Sequence, residues 1–211
     1  MNSESKSIED IKAIRKIMEE SSRFLSLSGL SGIFAGVIAI VGALVAYFFI
    51  LDNGSMRYDE YLGNLPAKDT LVLSWQLITD AVLVLILSVS FSFYFSVKKA
   101  KKDGKNFWTP ISKRLLINLL IPLVSGGVFV IVLLLQNQIQ LIVPCFLIFY
   151  GLALVNAGKF TFGEIFYLGI LEIIIGLVSA FFPGWGIIFW IIGFGILHIV
   201  YGLAMFRKYE A

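Results

Sequence analysis

Six apolar stretches, each close to the length that crosses a bilayer as a helix, constrain this chain more than any motif in it. They run near residues 27–50, 71–97, 115–135, 141–157, 161–182 and 185–206. A hydrocarbon core of about 30 Å takes roughly 20 helical residues at about 1.5 Å each. Backbone N–H and C=O groups find no water there, so each stretch has to satisfy its own, as a helix does. The expected fold is therefore all-α: a polytopic membrane protein with six transmembrane helices arranged as three hairpins. Composition agrees, because 58% hydrophobic against 15% charged residues and a mean hydropathy of +0.89 leave too little polar surface for a fold that faces water on all sides. The short connections 136–140, 158–160 and Pro183-Gly184 make spans three to six antiparallel neighbours.

Orientation follows from where the cations lie, since Lys and Arg are retained on the cytoplasmic side. Lys6, Lys12, Arg15, Lys16 and Arg23, then Lys98, Lys99, Lys101, Lys102, Lys105, Lys113 and Arg114, then Lys159, Arg207 and Lys208 all fall on one side. That is fifteen against two, Arg57 and Lys68. Both termini are expected to be cytoplasmic, and the connection over 52–70, acidic through Asp52, Asp59, Glu60 and Asp69, is expected outside. Trp75, Trp185 and Trp190 are placed near the outer interface, where an amphipathic ring meets both phases.

Residues 1–26 carry five basic and five acidic side chains without an apolar core, so they read as a cytoplasmic segment rather than a cleavable signal peptide. Within them Ile8, Ile11, Ile14, Ile17, Met18, Phe24 and Leu25 recur mostly at three- and four-residue steps, the pattern of an amphipathic helix lying on the inner membrane surface. It would serve as an anchor, or residues 7–25 would dock a cytoplasmic partner or a second copy of the chain. The cluster Lys98, Lys99, Lys101, Lys102 and Lys105, followed by Trp108, either sets topology or meets anionic lipid headgroups. Residues 207–211 form a short tail on the same side. A balance of +3 without a basic face gives no nucleic-acid partner.

Membrane helices associate through small residues that admit a close backbone. Gly32 and Gly36 make such a face on span one, continued by Ala35, Ala39 and Ala43. Tyr-Gly-Leu-Ala occurs at 150–153 and again at 201–204, 51 residues apart, near the same end of two even-numbered spans, as in a repeated hairpin. Gly169, Glu172 and Gly176 share their spacing with Gly195, His198 and Gly202, and offsets of three, four and seven keep each triplet on one helix face. Glu172 and His198 are predicted to face each other. Asp80, with Gln76 one turn earlier, lies at a similar depth, so Asp80, Glu172 and His198 would form one intramembrane polar cluster. Such groups in hydrocarbon pair with one another or serve a proton or ion path.

No H-E-x-x-H, phosphate-cradling glycine loop or acidic metal cluster is present, and the lone Cys145 makes neither a disulfide nor a multi-cysteine site; no metal or cofactor is expected. Gly29-Leu30-Ser31-Gly32 resembles the GxSG of rhomboid intramembrane proteases, which also have six spans and a histidine in the last, here His198. Ser31, however, stands near the cytoplasmic end of span one and His198 nearer mid-depth, and the rhomboid serine belongs to a later span, so a catalytic role is not expected. Gly169 to Ala204, with the turn Phe181-Phe182-Pro183-Gly184, resembles the repeated hairpins of small six-span bacterial membrane proteins of the HdeD acid-resistance type. That resemblance covers less than a quarter of the chain and implies a bacterial inner-membrane location rather than an activity. The expectation is a non-catalytic inner-membrane protein with a structural, regulatory or stress-related role. The alternative is a small-solute or proton-coupled transporter using Asp80, Glu172 and His198.

Overall fold

The structure is a computed structural model that describes residues 23–51 and 67–210, together with Ile11. The amphipathic helix expected over 7–25 and most of the acidic connection over 52–70 lie outside the described residues. Among the described residues the regular structure is entirely helical. Six helices are long and apolar enough to cross a membrane. α1 is Gly29–Ile50, with a π-helical last turn, Ala46–Ile50; α2 is Ala67–Lys102 and α3 Pro110–Leu135. α4 is Ile142–Gly158, entered through a 3-10 turn at Ile139–Leu141, and α5 is Gly163–Ala180. α6 is Gly186–Tyr209, interrupted by a π-helical segment, Ile191–Leu197.

Local chemistry explains where these helices begin and end. α3 starts on a capping box: the Ser112 N–H donates to Thr109 Oγ1 at 3.1 Å, the Thr109 N–H donates to Ser112 Oγ at 2.8 Å, and Pro110 takes the first helical position, where its missing N–H costs nothing. α2 runs through the lysine cluster, and Lys99, Lys101 and Lys102 occupy its last turn, where cations complement the helix dipole. It ends at Gly104, whose φ of 64° permits the paired bonds Gly104 N–H to Lys101 O and Lys105 N–H to Ala100 O, a Schellman closure.

Burial is inverted relative to a water-facing bundle. Only 11% of the apolar window of α2 and 17% of that of α3 is buried, against 44% for α4. Phe34, Val37, Val41, Val82, Leu85 and Val128 are all exposed. A surface of this kind is at home in an apolar medium.

α1 packs between α2 and α6, α4 packs between α3 and α5, and α6 joins the two groups through α4 and α5. The close contacts are glycine seams. A β-carbon on Gly202 would lie 2.5 Å from Ile33 N and 2.7 Å from Gly29 O; one on Gly36 would lie 2.5 Å from Gly195 O. Between α4 and α5, a β-carbon on Gly151 would meet Gly169 O at 2.6 Å, and one on Gly176 would meet Ile148 N at 2.9 Å. Both Tyr-Gly-Leu-Ala glycines, Gly151 and Gly202, thus stand at close crossings. The sequence pattern pictures Gly169 and Gly176 sharing one seam with Gly195 and Gly202. Instead the α5 pair faces α4 and the α6 pair faces α1. A glycine face shows that some backbone comes close, but not whose.

One end of the bundle gathers the starts of α1, α3 and α5 and the ends of α2, α4 and α6. Eleven of the twelve described Lys and Arg residues belong to it, Lys68 being the other. There the Glu210 carboxylate accepts from the Gly29 N–H at 2.6 Å and from Ser28 Oγ at 3.0 Å, so the chain's end caps α1. Lys99 Nζ donates to Leu27 O at 2.8 Å and lies 3.2 Å from Glu210 Oε1. Phe24 bonds through its N–H to Phe160 O and through its carbonyl to Thr161 Oγ1, strapping the segment before α1 across the α4–α5 turn. Glu164 pairs with Lys208 and accepts from Tyr209.

Two outcomes follow for thermal unfolding of the protein in detergent. Gly202→Ala should cost about 1–3 kcal/mol, because its β-carbon meets backbone rather than a movable side chain, while Gly127→Ala, whose β-carbon meets nothing within 4 Å, should be neutral or stabilising. Glu210→Ala should cost about 1 kcal/mol as a lost cap, with Glu210→Gln recovering part of it; an unchanged midpoint for Glu210→Ala would show that the cap does not hold α1.

Candidate functional site

Ser88, Ser92 and Ser96 recur at four-residue steps on α2 and so share one face. Elsewhere on the hydrophobic helices, Ser74, Thr79, Ser90 and Ser125 return their hydroxyls to the carbonyl four residues back, the usual way a hydroxyl is satisfied in a helix. The three α2 serines do not. They face a cavity of about 500 Å³.

The cavity lies between the two helix groups, where α2 and α3, consecutive in sequence, do not pack on each other. Its α2 wall runs from Ala81 to Ser96, about 22 Å along the helix axis, so it is elongated parallel to the helices. Val82, Leu85, Val89 and Leu116 belong both to its lining and to the exposed surface, which makes it open sideways along the α2–α3 gap. Among the described residues the lining is almost wholly apolar, and it includes no Asp, Glu, Lys or Arg. Phe24, Phe107, Trp108, Ser112 and Thr161 close it at the basic end. At its back stand Tyr150, Trp190, Phe194 and His198. Ser96 is 2% exposed, and its hydroxyl has no hydrogen-bond partner.

Behind this back wall is a buried polar chain. Tyr150 Oη lies 2.7 Å from His198 Nε2, and His198 Nδ1 lies 3.1 Å from Gly193 O. A carbonyl only accepts, so Nδ1 carries a proton, and when the ring is neutral Nε2 accepts from the tyrosine hydroxyl. Glu172 faces His198 with Oε1 3.4 Å from Nδ1. That distance is not a hydrogen bond, since the Nδ1 proton is directed at Gly193 O, and both Glu172 oxygens lack a hydrogen-bond partner. Glu172 is 0% exposed. Space for it comes from Gly193, where a β-carbon would lie 2.7 Å from Glu172 Oε2 and 2.5 Å from Leu147 Cδ2. Gly193 belongs to the π-helical segment of α6, an irregularity frequent at functional sites.

The structure brings Glu172 and His198 together but not Asp80 or Gln76. Asp80 lines a separate cavity of about 80 Å³ with Ser74, Ala43 and Trp190 and bonds to neither partner; Gln76 is exposed on α2. The physical reason is that α2 packs on α1, not on α5. Trp190, placed by sequence at the outer interface, points inward and donates from Nε1 to Ala39 O at 3.1 Å; Trp75 and Trp185 are exposed. In the lysine cluster Lys98, Lys101, Lys102 and Lys105 are exposed, whereas Lys99 is committed to Leu27 and Glu210. Ser31 donates to Ser28 O and makes no bond to His198, so the serine–histidine contact of a rhomboid site is not formed. Among the described residues no three His, Cys, Asp or Glu side chains converge as a metal site would require.

Tyr150, Gly193 and the serine face are residues that sequence reasoning missed. The serine spacing is visible in the sequence, and Tyr150 lies in the repeated tetrapeptide; nothing there marks Gly193 above other glycines. The chain matches no protein-family model, no curated protein and no solved structure.

Gly193→Ala should lower stability by about 1–3 kcal/mol through overpacking against Glu172 and Leu147. In a double-mutant cycle with Glu172→Ala the cost should shrink by at least about 0.5 kcal/mol. Strict additivity would mean that Gly193 does not make the space for the carboxyl group.

Proposed function

We propose that this chain is a non-catalytic, multi-pass protein of a bacterial cytoplasmic membrane, with both termini cytoplasmic, that holds an acyl chain of a membrane lipid between α2 and α3. Its role on this reading is structural or regulatory. The observation that carries it is the apolar, laterally open cavity of about 500 Å³, within the range of roughly 300–1,000 Å³ typical of ligand sites. Protein interiors do not keep empty space of that size. In a bilayer, the medium at the α2–α3 gap is hydrocarbon chain, and the elongation of the cavity along the helices is the direction in which such chains lie. The proposed membrane setting also accounts for the exposed apolar faces of α2 and α3, and the proposed orientation for the gathering of cations at one end.

The transport alternative requires a hydrated route to the ionisable groups. Glu172 is fully buried, no charged side chain among the described residues lines the cavity that reaches His198, and Asp80 stands apart. These features favour binding over transport. Ser92→Trp, which places a large ring on the cavity wall, should reduce the lipid that stays bound through purification, read by native mass spectrometry, while leaving the unfolding midpoint within a few degrees. Wild-type proteoliposomes should show no proton flux above protein-free vesicles. A pH-dependent flux abolished by both Glu172→Gln and His198→Ala would replace this reading with transport.

A further inference from the structure

Resting on the cavity reading above, a second set of groups indicates which lipid enters and which way round it sits. The Ser96 hydroxyl is buried, faces the cavity at its basic end, and is unpartnered. An unsatisfied hydroxyl in an apolar wall is costly unless something bonds to it. Going from Ala81 toward Ser96, the wall changes from hydrocarbon to a ladder of three hydroxyls at Ser88, Ser92 and Ser96, with no hydrogen bond from them among the described residues and the Ser96 hydroxyl buried without a partner. Beyond Ser96 the surroundings become cationic. Lys98, Lys101 and Lys102 end α2, and Phe107, Trp108 and Ser112, which frame the cavity's basic end, are flanked by Lys105, Lys113 and Arg114, all exposed, with Asp103 the one acid among them. The far end, at Ala39, Ala81, Phe146 and Trp190, has no cation among its described lining residues.

Along one axis the order is hydrocarbon, neutral hydrogen-bond donors, then positive charge. That order matches a glycerolipid: chain, ester linkage, phosphate. We propose that the cavity selects an anionic phospholipid, with one acyl chain along α2, an ester carbonyl accepting from the Ser96 hydroxyl, and the phosphate among Lys105, Lys113 and Arg114. A zwitterionic lipid presents the same chain and esters, but its ammonium offsets the phosphate at the cationic rim. The unbonded hydroxyl assigns the ester and the rim assigns the headgroup, so the two parts separate by mutation.

The test uses the full chain, delipidated in detergent and titrated with phosphatidylglycerol or phosphatidylcholine of identical acyl chains, binding being read by native mass spectrometry. Phosphatidylglycerol should bind about fivefold or more tightly, since each nearby cation contributes roughly a fivefold preference for anionic lipid, and the preference should shrink at high salt. Lys105→Gln/Lys113→Gln/Arg114→Gln should abolish the preference and leave phosphatidylcholine binding unchanged. Ser96→Ala, with its unfolding midpoint checked, should weaken both lipids about fivefold, as for one lost hydrogen bond, without altering their ratio. Equal binding of the two lipids by the wild type would overturn the headgroup assignment while leaving the acyl-chain reading standing. Binding of neither would remove both. An unaltered Ser96→Ala would overturn the ester contact, and palmitate competing on equal terms with phosphatidylglycerol would reassign the anion to a carboxylate.

Discussion

Close approach of backbones at glycine is the constraint on which the rest of this structure depends. Apolar side chains gain nothing from leaving an apolar solvent, so helices in such a medium are held by packing and by the few polar contacts they can make. Here the closest backbone-to-backbone packing forms two seams, Gly29, Gly32 and Gly36 against Gly195 and Gly202, and Gly151 and Gly158 against the part of α5 that carries Phe166 and Gly169, while Gly42 and Gly126 admit the side chains of Val84 and Phe149. Where these seams lie decides which helices are neighbours. α1 and α6 are bound to each other although they are the most distant pair in sequence, while α5 and α6, joined by the short connection 181–185 around Pro183-Gly184, share a lighter contact.

The cavity is a consequence of that arrangement. Among the described residues α2 packs chiefly on α1 and α3 chiefly on α4, and neither brings a glycine seam to the other. The connection between them closes one end with Phe107 and Trp108, and the strap at Phe24 seals the same end from the other side, its ring 5.3 Å from that of Phe107. Glu210 and Lys99 then tie the end of α6 and the end of α2 to the start of α1. The basic end is thus pinned by hydrogen bonds, and the middle of the α2–α3 gap is left open.

Behind the cavity, Tyr150, His198 and Glu172 come from α4, α6 and α5, so one polar chain links the two helix groups where glycine contacts are few. Its satisfaction is uneven. Tyrosine and histidine are bonded, and the carboxyl group is held against them by shape, through the absence of a side chain at Gly193, rather than by a hydrogen bond. A buried group placed in this way adds specificity to how α5 meets α6, because a shifted register would drive the carboxyl group into a side chain instead of the glycine gap.

What the sequence by itself determined is the part governed by local rules. Helix length and hydropathy follow from a per-residue rise and a backbone that must bond to itself, so the six helices fall within a few residues of their expected places; α2 alone extends well past its apolar core, carried through the lysines by good helix formers and stopped at Gly104. The facing of Glu172 and His198 was legible because both lie at matched depth on glycine-flanked faces. The tertiary structure alone decided the partners. A glycine at a given face is equally consistent with any neighbouring backbone, and an ionisable residue at a given depth with any of five other helices. Gly195 and Gly202 therefore read as partners of α5 until α1 was seen against them, and Asp80 read as part of the polar cluster until α2 was seen on α1. The cavity and its unbonded serines belong to the same class: emptiness between helices is a property of which surfaces fail to meet, and no local rule records that.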